Sequence, residues 1–110
     1  MADKELVVYG RIAFCPDLAR TQRFLQAHDI PYRQINIDED SAAGARVESW
    51  IGHRSVPTVI VAPTGGIEPI EAPQELPAGR SSRSFDRGTL IVEPSDTALE
   101  AFLRRHELMV

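Results

Sequence analysis

The residue most suited to nucleophilic chemistry in the chain is Cys15, its single cysteine. A buried strand is predicted just before it, and a helix is predicted to begin at Pro16, so Cys15 lies at or next to the helix N-cap. The first N–H groups of a helix are unpaired and the helix dipole is positive there, which stabilises a thiolate over a thiol. The position favours a reactive nucleophile; the alternative is a small residue buried in the core.

The composition indicates one globular domain spanning residues 1–110, because 43% of the residues are hydrophobic and 25% are charged. A net charge of −4 without a basic stretch argues against nucleic acid or an anionic membrane as a partner. The mixed charge of residues 1–5 is not typical of a signal peptide. A single cysteine allows no internal disulfide, so a cytoplasmic, reducing location is expected. Three scattered histidines and one cysteine do not match zinc-site spacing, so no metal is expected.

Apolar periodicity predicts four strands and three helices. The strands are expected at residues 6–9, 32–37, 59–62 and 89–92. The helices are expected at residues 16–28, from the start signal 38–41 to residue 51, and from residues 94–97 to 106. The strand–helix–strand order predicts a right-handed crossover between two parallel strands. Either Ser95 or Thr97 can cap the last helix.

Residues 63–88 form an unusually long connection between the third and fourth strands. The segment contains four prolines and four glycines and has no apolar periodicity. It is therefore predicted to be an extended surface excursion or partly disordered, without a role of its own. We expect it to stay at the sheet edge far from Cys15. The alternative is that it curls back over the Cys15 edge, where Arg80, Arg83 or Arg87 would supply a cation.

Three stretches resemble the glutaredoxins of the thioredoxin superfamily, and within them the mycoredoxin-like branch. In residues 9–18, Cys15 stands at the family's Cys-x-x-Cys motif; residues 54–58 are similar to its Thr-Val-Pro turn, and residues 89–99 resemble the strand-to-helix end of that branch. The resemblance implies an α/β, thioredoxin-like fold with the order β-α-β-α-β-β-α. Its central four-stranded mixed sheet would be flanked by helices, with residues 63–88 inserted between the last two strands.

The chain departs from the family pattern at the second cysteine, which is replaced by Leu18. The resemblance therefore implies a monothiol glutaredoxin-like oxidoreductase that reduces mixed disulfides between proteins and a low-molecular-weight thiol. Glutathione, mycothiol or bacillithiol would be the co-substrate, no cofactor would be required, and a monomer is expected. Two alternatives are a non-catalytic thioredoxin-fold adaptor and an iron–sulfur cluster carrier. Pro16 argues against the carrier, since those relatives typically have glycine after the cysteine.

The resemblance also implies which residues bind substrate. It predicts a cis peptide bond before Pro57, which would present the Val56 backbone to a substrate chain as an added strand; an ordinary trans proline at a strand start is the alternative. The topology adds a further inference: if the fourth strand ends at the same edge as Cys15, the free N–H groups around residues 95–97 would form an anion site with Ser95 and Asp96. The alternative is that Ser95 and Asp96 simply cap that helix. The remaining substrate-binding candidates surround the nucleophile Cys15 in sequence: Arg11, Phe14 and Pro16. Arg11 stands four residues before Cys15, where the family has a basic residue three before.

Overall fold

The computed structural model describes residues 3–110 and has the predicted order of strands and helices, which gives a thioredoxin-like fold. The elements are β1 (Lys4–Gly10), α1 (Pro16–Ala27), β2 (Arg33–Asn36), α2 (Ser41–Ile51), β3 (Thr58–Pro63), β4 (Leu90–Val92) and α3 (Asp96–Arg105). Within residues 3–110, no helix is long and apolar enough to cross a membrane.

The four strands form one mixed sheet in the order β2-β1-β3-β4. β1 runs parallel to β2, as the crossover predicts, and antiparallel to β3, which is antiparallel to β4. In this register Tyr9 lies opposite Thr58, and Thr58 lies opposite Val92. The end of β1, the start of β3 and the end of β4 therefore meet at one edge of the sheet, which we call the Cys15 edge.

Side chains alternate along β1 between two apolar cores, because successive residues of a strand point to opposite faces. Leu6 and Val8 belong to the core formed with α1 and α3, whereas Val7 and Tyr9 belong to the core formed with α2. β3 is buried on both faces in the same way, which explains its continuously apolar sequence. The sheet is thus covered on both sides, and its loops at the Cys15 edge are left available for a site.

The helix starts follow the predicted capping signals. The Asp40 side chain accepts hydrogen bonds from the N–H groups of Ala42 and Ala43 at the start of α2. Of the two candidate caps of α3, Ser95 is the one used: its Oγ accepts a hydrogen bond of 3.1 Å from Ala98 N. Gly52, at the end of α2, has φ +86°, a conformation that glycine adopts without steric cost.

The expected path of residues 63–88 is wrong. The segment leaves the far end of β3, but Arg83 then forms a backbone bridge with Val92, and Ser84 N donates a 2.8 Å hydrogen bond to Val92 O. Val92 lies at the Cys15 edge, so the segment reaches that edge before it turns back to the start of β4. The physical reason is that the outer side of β4 offers backbone groups that the insertion can pair with.

Candidate active site

Cys15 is the N-cap residue of α1, as predicted from the strand and the proline that flank it. Its backbone is extended, with φ −143° and ψ 116°, and its carbonyl accepts the first helical hydrogen bond, of 2.9 Å, from Ala19 N. The residue is only 8% exposed. Its Sγ lies 3.8 Å from Val56 O, in the loop that leads into β3. The thiol therefore sits between the first turn of α1 and the residues before β3.

The peptide bond between Val56 and Pro57 is cis, in agreement with the resemblance and not with the trans alternative. Thr58 Oγ1 donates a 2.9 Å hydrogen bond to Ser55 O. Glu93 N donates a 2.8 Å hydrogen bond to Pro57 O. These contacts tie the turn to β3 and to the residue that follows β4, so the turn beside Cys15 is held from both sides.

The loop between β1 and Cys15 is held by Asp38, which the sequence indicated only as part of a helix start. The Asp38 carboxylate accepts hydrogen bonds from Ile12 N, at 3.0 and 3.1 Å, and from Ala13 N, at 3.3 Å. The hydrogen bond from Ile12 N is the main cause that holds the pKa of Asp38 below its ordinary value. The loop leaves two apolar side chains in solvent: Ile12 is 66% exposed and Phe14 is 81% exposed.

Two shallow grooves meet at Cys15. The first, of about 270 Å³, lies beside Phe14 and is lined on its far side by polar side chains of α1 and β2: Gln22, Gln34 and Asn36. The second, of about 360 Å³, lies on the Val56 side and is lined by side chains of both charges: Arg11, Asp17, Arg54 and Glu93. The predicted substrate-binding residues Arg11, Phe14, Pro16 and Val56 line one or both grooves.

The insertion contributes a cation that pairs with two carboxylates lining the second groove. Arg83 Nη2 lies 2.8 Å from Asp17 Oδ1, and Arg83 Nη1 lies 3.1 Å from Asp17 Oδ2 and 2.7 Å from Glu93 Oε2. Arg20 also contacts Asp17 Oδ1, at 3.0 Å. We call these four residues the charged cluster. Of the candidate arginines Arg80, Arg83 and Arg87, Arg83 is the one that forms salt bridges with carboxylates of this groove.

The pKa values of the two carboxyl groups in the charged cluster are shifted in opposite directions. The hydrogen bond from Arg83 lowers the pKa of Asp17 below its ordinary value. Burial is the main cause that raises the pKa of Glu93, and its hydrogen bond with Asp17 adds to the increase. Asp17 therefore carries the more persistent negative charge, and it is the second residue of α1, two positions after Cys15.

The structure shows Ser95 as the cap of α3 and Asp96 as the first residue of that helix. Ser95 N, expected to be free for an anion, donates a 2.9 Å hydrogen bond to Ser84 Oγ of the insertion. Ser95 Oγ caps Ala98, and Asp96 is an exposed residue in the first turn of α3. Neither residue lines a groove that contains Cys15 in the part of the chain that the structure describes.

Leu18, which the resemblance aligns with the family's second cysteine, is buried, with 4% exposure. It belongs to the core between the sheet, α1 and α3, and its side chain lies so close to Gly10 that a Cβ there would be 2.9 Å from Leu18 Cδ2. The side chain thus fills the base of the first groove. Across residues 3–110, no three His, Cys, Asp or Glu side chains are grouped so that they could hold a metal ion.

Comparison with known families identifies a match that covers the site. A family model described as Glutaredoxin matches residues 6–64. This range runs from β1 to just past β3, and it includes Cys15 and the Val56–Pro57 turn but excludes most of the insertion, β4 and α3. Searches of the curated proteins and of the solved structures found no match.

Proposed function

Because this chain belongs to the glutaredoxin family, whose members are thiol–disulfide oxidoreductases, we propose that Cys15 acts alone, as a monothiol catalyst. The substrate is a mixed disulfide between a protein and a low-molecular-weight thiol. One observation supports a one-cysteine cycle most directly. Cys15 is at the N-cap of α1, and the position of the family's second cysteine is taken by Leu18, which is buried.

In the first step, the Cys15 thiolate attacks the sulfur that belongs to the small thiol. A disulfide bond forms between Cys15 and the small thiol, and the bond between the small thiol and the protein breaks. The protein leaves as a thiolate and takes up a proton. The N-terminus of α1 favours this chemistry because its partial positive charge stabilises the attacking thiolate.

In the second step, a free molecule of the small thiol is the reductant. Its thiolate attacks the small-thiol sulfur bound to Cys15, which releases the Cys15 thiolate and a symmetric disulfide of the small thiol. A cycle of this kind requires no second protein cysteine and no bound cofactor. Leu18 cannot compete with the small thiol, since its side chain has no nucleophilic atom.

The groove on the Val56 side is suited to the substrate. Arg11 and Arg54 offer charges for a carboxylate, and the Val56 backbone next to Sγ offers hydrogen-bonding groups to an extended target chain. Phe14, exposed on the opposite side of Cys15, offers an apolar contact to the protein part of the substrate. Small thiols that carry a carboxylate are therefore the preferred co-substrates in this proposal.

The test is reduction of a peptide that carries one cysteine blocked by glutathione, mycothiol or bacillithiol, each with the same free thiol as reductant. We expect catalysis with at least one of the three, trapping of a Cys15–small-thiol adduct by mass spectrometry, and loss of both in Cys15→Ser. A rate equal to that of the uncatalysed reaction for all three thiols would contradict the proposal. That result would favour the adaptor, an alternative that the 8% exposure of Cys15 also supports.

A further inference from the structure

The insertion places a guanidinium group at the start of the helix that carries Cys15. Arg83 forms two hydrogen bonds with the Asp17 carboxylate and a third with Glu93, although 66 residues separate Arg83 from Asp17. In the part of the chain described by the structure, it is the residue whose salt bridges reach both carboxylates. Of the two carboxylates, Arg20 forms a salt bridge only with Asp17, and its Nη2 donates a further hydrogen bond to Pro94 O.

These carboxylates matter to Cys15 because all three side chains line one groove of about 360 Å³. Charges separated by less than about one Debye length, roughly 8 to 10 Å, act on one another through the solvent. A nearby negative charge opposes formation of a thiolate, whereas a positive charge favours it. Without compensation, Asp17 and Glu93 would both oppose the ionised form of Cys15.

Within residues 3–110, the two arginines that line the groove, Arg11 and Arg54, form no salt bridge with Asp17 or Glu93. Arg54 is paired with Glu48 at 2.8 Å, on α2. Arg11 lies near Asp38, whose carboxylate holds the preceding loop. His53 is the remaining titratable group that acts on Glu93, and its Nδ1 is 2.6 Å from Ser55 Oγ. Arg83 is therefore best placed to neutralise the carboxylates beside Cys15.

We propose that Arg83 is a positioning residue for the Cys15 reaction: it neutralises Asp17 and Glu93 and so keeps the thiolate of Cys15 available for attack. The inference rests on Cys15 being the nucleophile of the proposed function. It assigns a role to residues 63–88, which lie almost wholly outside the matched family range of residues 6–64. The insertion thus completes the electrostatic environment of a site whose nucleophile is carried by the family core.

The experiment measures the rate at which iodoacetamide alkylates Cys15, as a function of pH. In this reaction the thiolate sulfur displaces iodide from carbon, so the rate reports the ionised fraction without needing any small thiol. We expect Arg83→Gln to slow alkylation at neutral pH by about fivefold and to displace the rate profile toward higher pH. Arg83→Lys, which keeps the charge, should remain within about twofold of the wild type.

A second substitution separates charge compensation from a structural role. Asp17→Asn combined with Arg83→Gln removes both charges of the closest pair, and it should bring the rate back to within about twofold of the wild type. Arg104→Gln is the matched control, because Arg104 is 48% exposed, compared with 50% for Arg83, and pairs with Glu100 on α3, away from Cys15. Melting curves of all variants establish that each is folded.

An unchanged rate in a folded Arg83→Gln protein would overturn the inference. A slow rate that the Asp17→Asn substitution does not restore would overturn it as well, since charge would not be the cause. If wild-type Cys15 is alkylated quickly and depends on Arg83, yet no mixed disulfide is reduced, the proposed catalytic cycle fails and this inference stands.

Discussion

Cys15 Sγ lies 3.8 Å from Val56 O, although the two residues are 41 positions apart in the chain. The sheet creates this proximity, because β1 and β3 are antiparallel and Tyr9 lies opposite Thr58. The loop after β1 and the turn before β3 must then emerge at the same edge. The thiol proposed as nucleophile and the backbone proposed to receive the substrate are consequently positioned by the two central strands of the fold.

Replacing Leu18 with cysteine should create a second thiol at the cost of stability. Leu18 is buried in the core, so the smaller side chain loses packing and we expect the melting temperature to fall by about 5 to 10 °C. Cys15 and the new thiol are one helical turn apart, and mild oxidation should join them in a disulfide. Leu18→Ala is the control that loses volume without gaining a thiol. A folded variant whose two thiols both stay free under oxidant would contradict the placement of the helix.

Removing the exposed ring of Phe14, next to Cys15 in the chain, should affect protein substrates only. Phe14 is 81% exposed, so Phe14→Ala should leave the melting temperature unchanged. We expect KM for a protein mixed disulfide to rise about fivefold, the effect of losing roughly 1 kcal/mol of apolar contact, and KM for a small mixed disulfide to stay constant. Ile70→Ala is the matched control, because Ile70 is 48% exposed on the insertion. Equal effects on both substrates would show that Phe14 does not contact the protein part.

Most of the fold could be predicted from the sequence because its local signals agree with one another. Pro16 marked the start of α1, and Gly52 the end of α2, from conformational preferences that act within a few residues. The path of residues 63–88 was not predictable in this way, since it involves contacts that exist only in the folded chain. These are the backbone pairing with Val92 and the salt bridge of Arg83 with Asp17, 66 positions away. Arg83 stands in the polar, pattern-free run of residues 81–84, where no periodicity indicates a partner.

The role of Asp38 was missed for a related reason. An acidic residue before a helix is typical of a capping signal, and Asp40 indeed caps α2. Only the parallel pairing of β1 with β2 brings Asp38 next to Ile12 and Ala13. A carboxylate that stabilises a loop on a neighbouring strand has no fixed sequence spacing from that loop, so the sequence alone does not reveal it.

Asp38 should contribute to the acid sensitivity of the fold. Its pKa is lower in the folded chain than in the unfolded chain, where it is about 3.9. The stabilisation is therefore complete above that unfolded pKa and is lost as the pH falls through the lower, folded pKa. We expect urea denaturation to show that Asp38→Asn loses stability at neutral pH and that its difference from the wild type shrinks in acid.

Asp29→Asn is the control for that measurement. Asp29 is exposed and has φ +53°, a conformation that asparagine also tolerates, so the substitution removes a carboxylate without straining the backbone. Its stability should follow the wild type at every pH. A constant difference between Asp38→Asn and the wild type across the acid range would show that the hydrogen bonds to the loop do not depend on the carboxylate charge.

Replacing residues 64–87 with an Asp-Gly turn should damage both stability and Cys15 reactivity, contrary to what the sequence alone suggests. Tyr9 would lose the carbonyl of Ile67 that accepts its hydroxyl hydrogen bond, a loss of about 1 kcal/mol for a part-buried hydrogen bond. Removal of Arg83 would also slow alkylation of Cys15 by about fivefold. Melting curves and the iodoacetamide assay measure the two effects separately.

Two controls separate these contacts from the length of the loop. A Gly/Ser segment of the same length in place of residues 64–87 keeps the connection long and keeps a backbone carbonyl at position 67, which accepts the Tyr9 hydrogen bond. It removes the Arg83 guanidinium, so it should slow alkylation of Cys15. Arg83→Gln within the intact insertion should slow alkylation while leaving Tyr9 bonded to Ile67. If the Asp-Gly variant melts and reacts like the wild type, closure of the shorter loop is sufficient and the insertion does not contribute to the site.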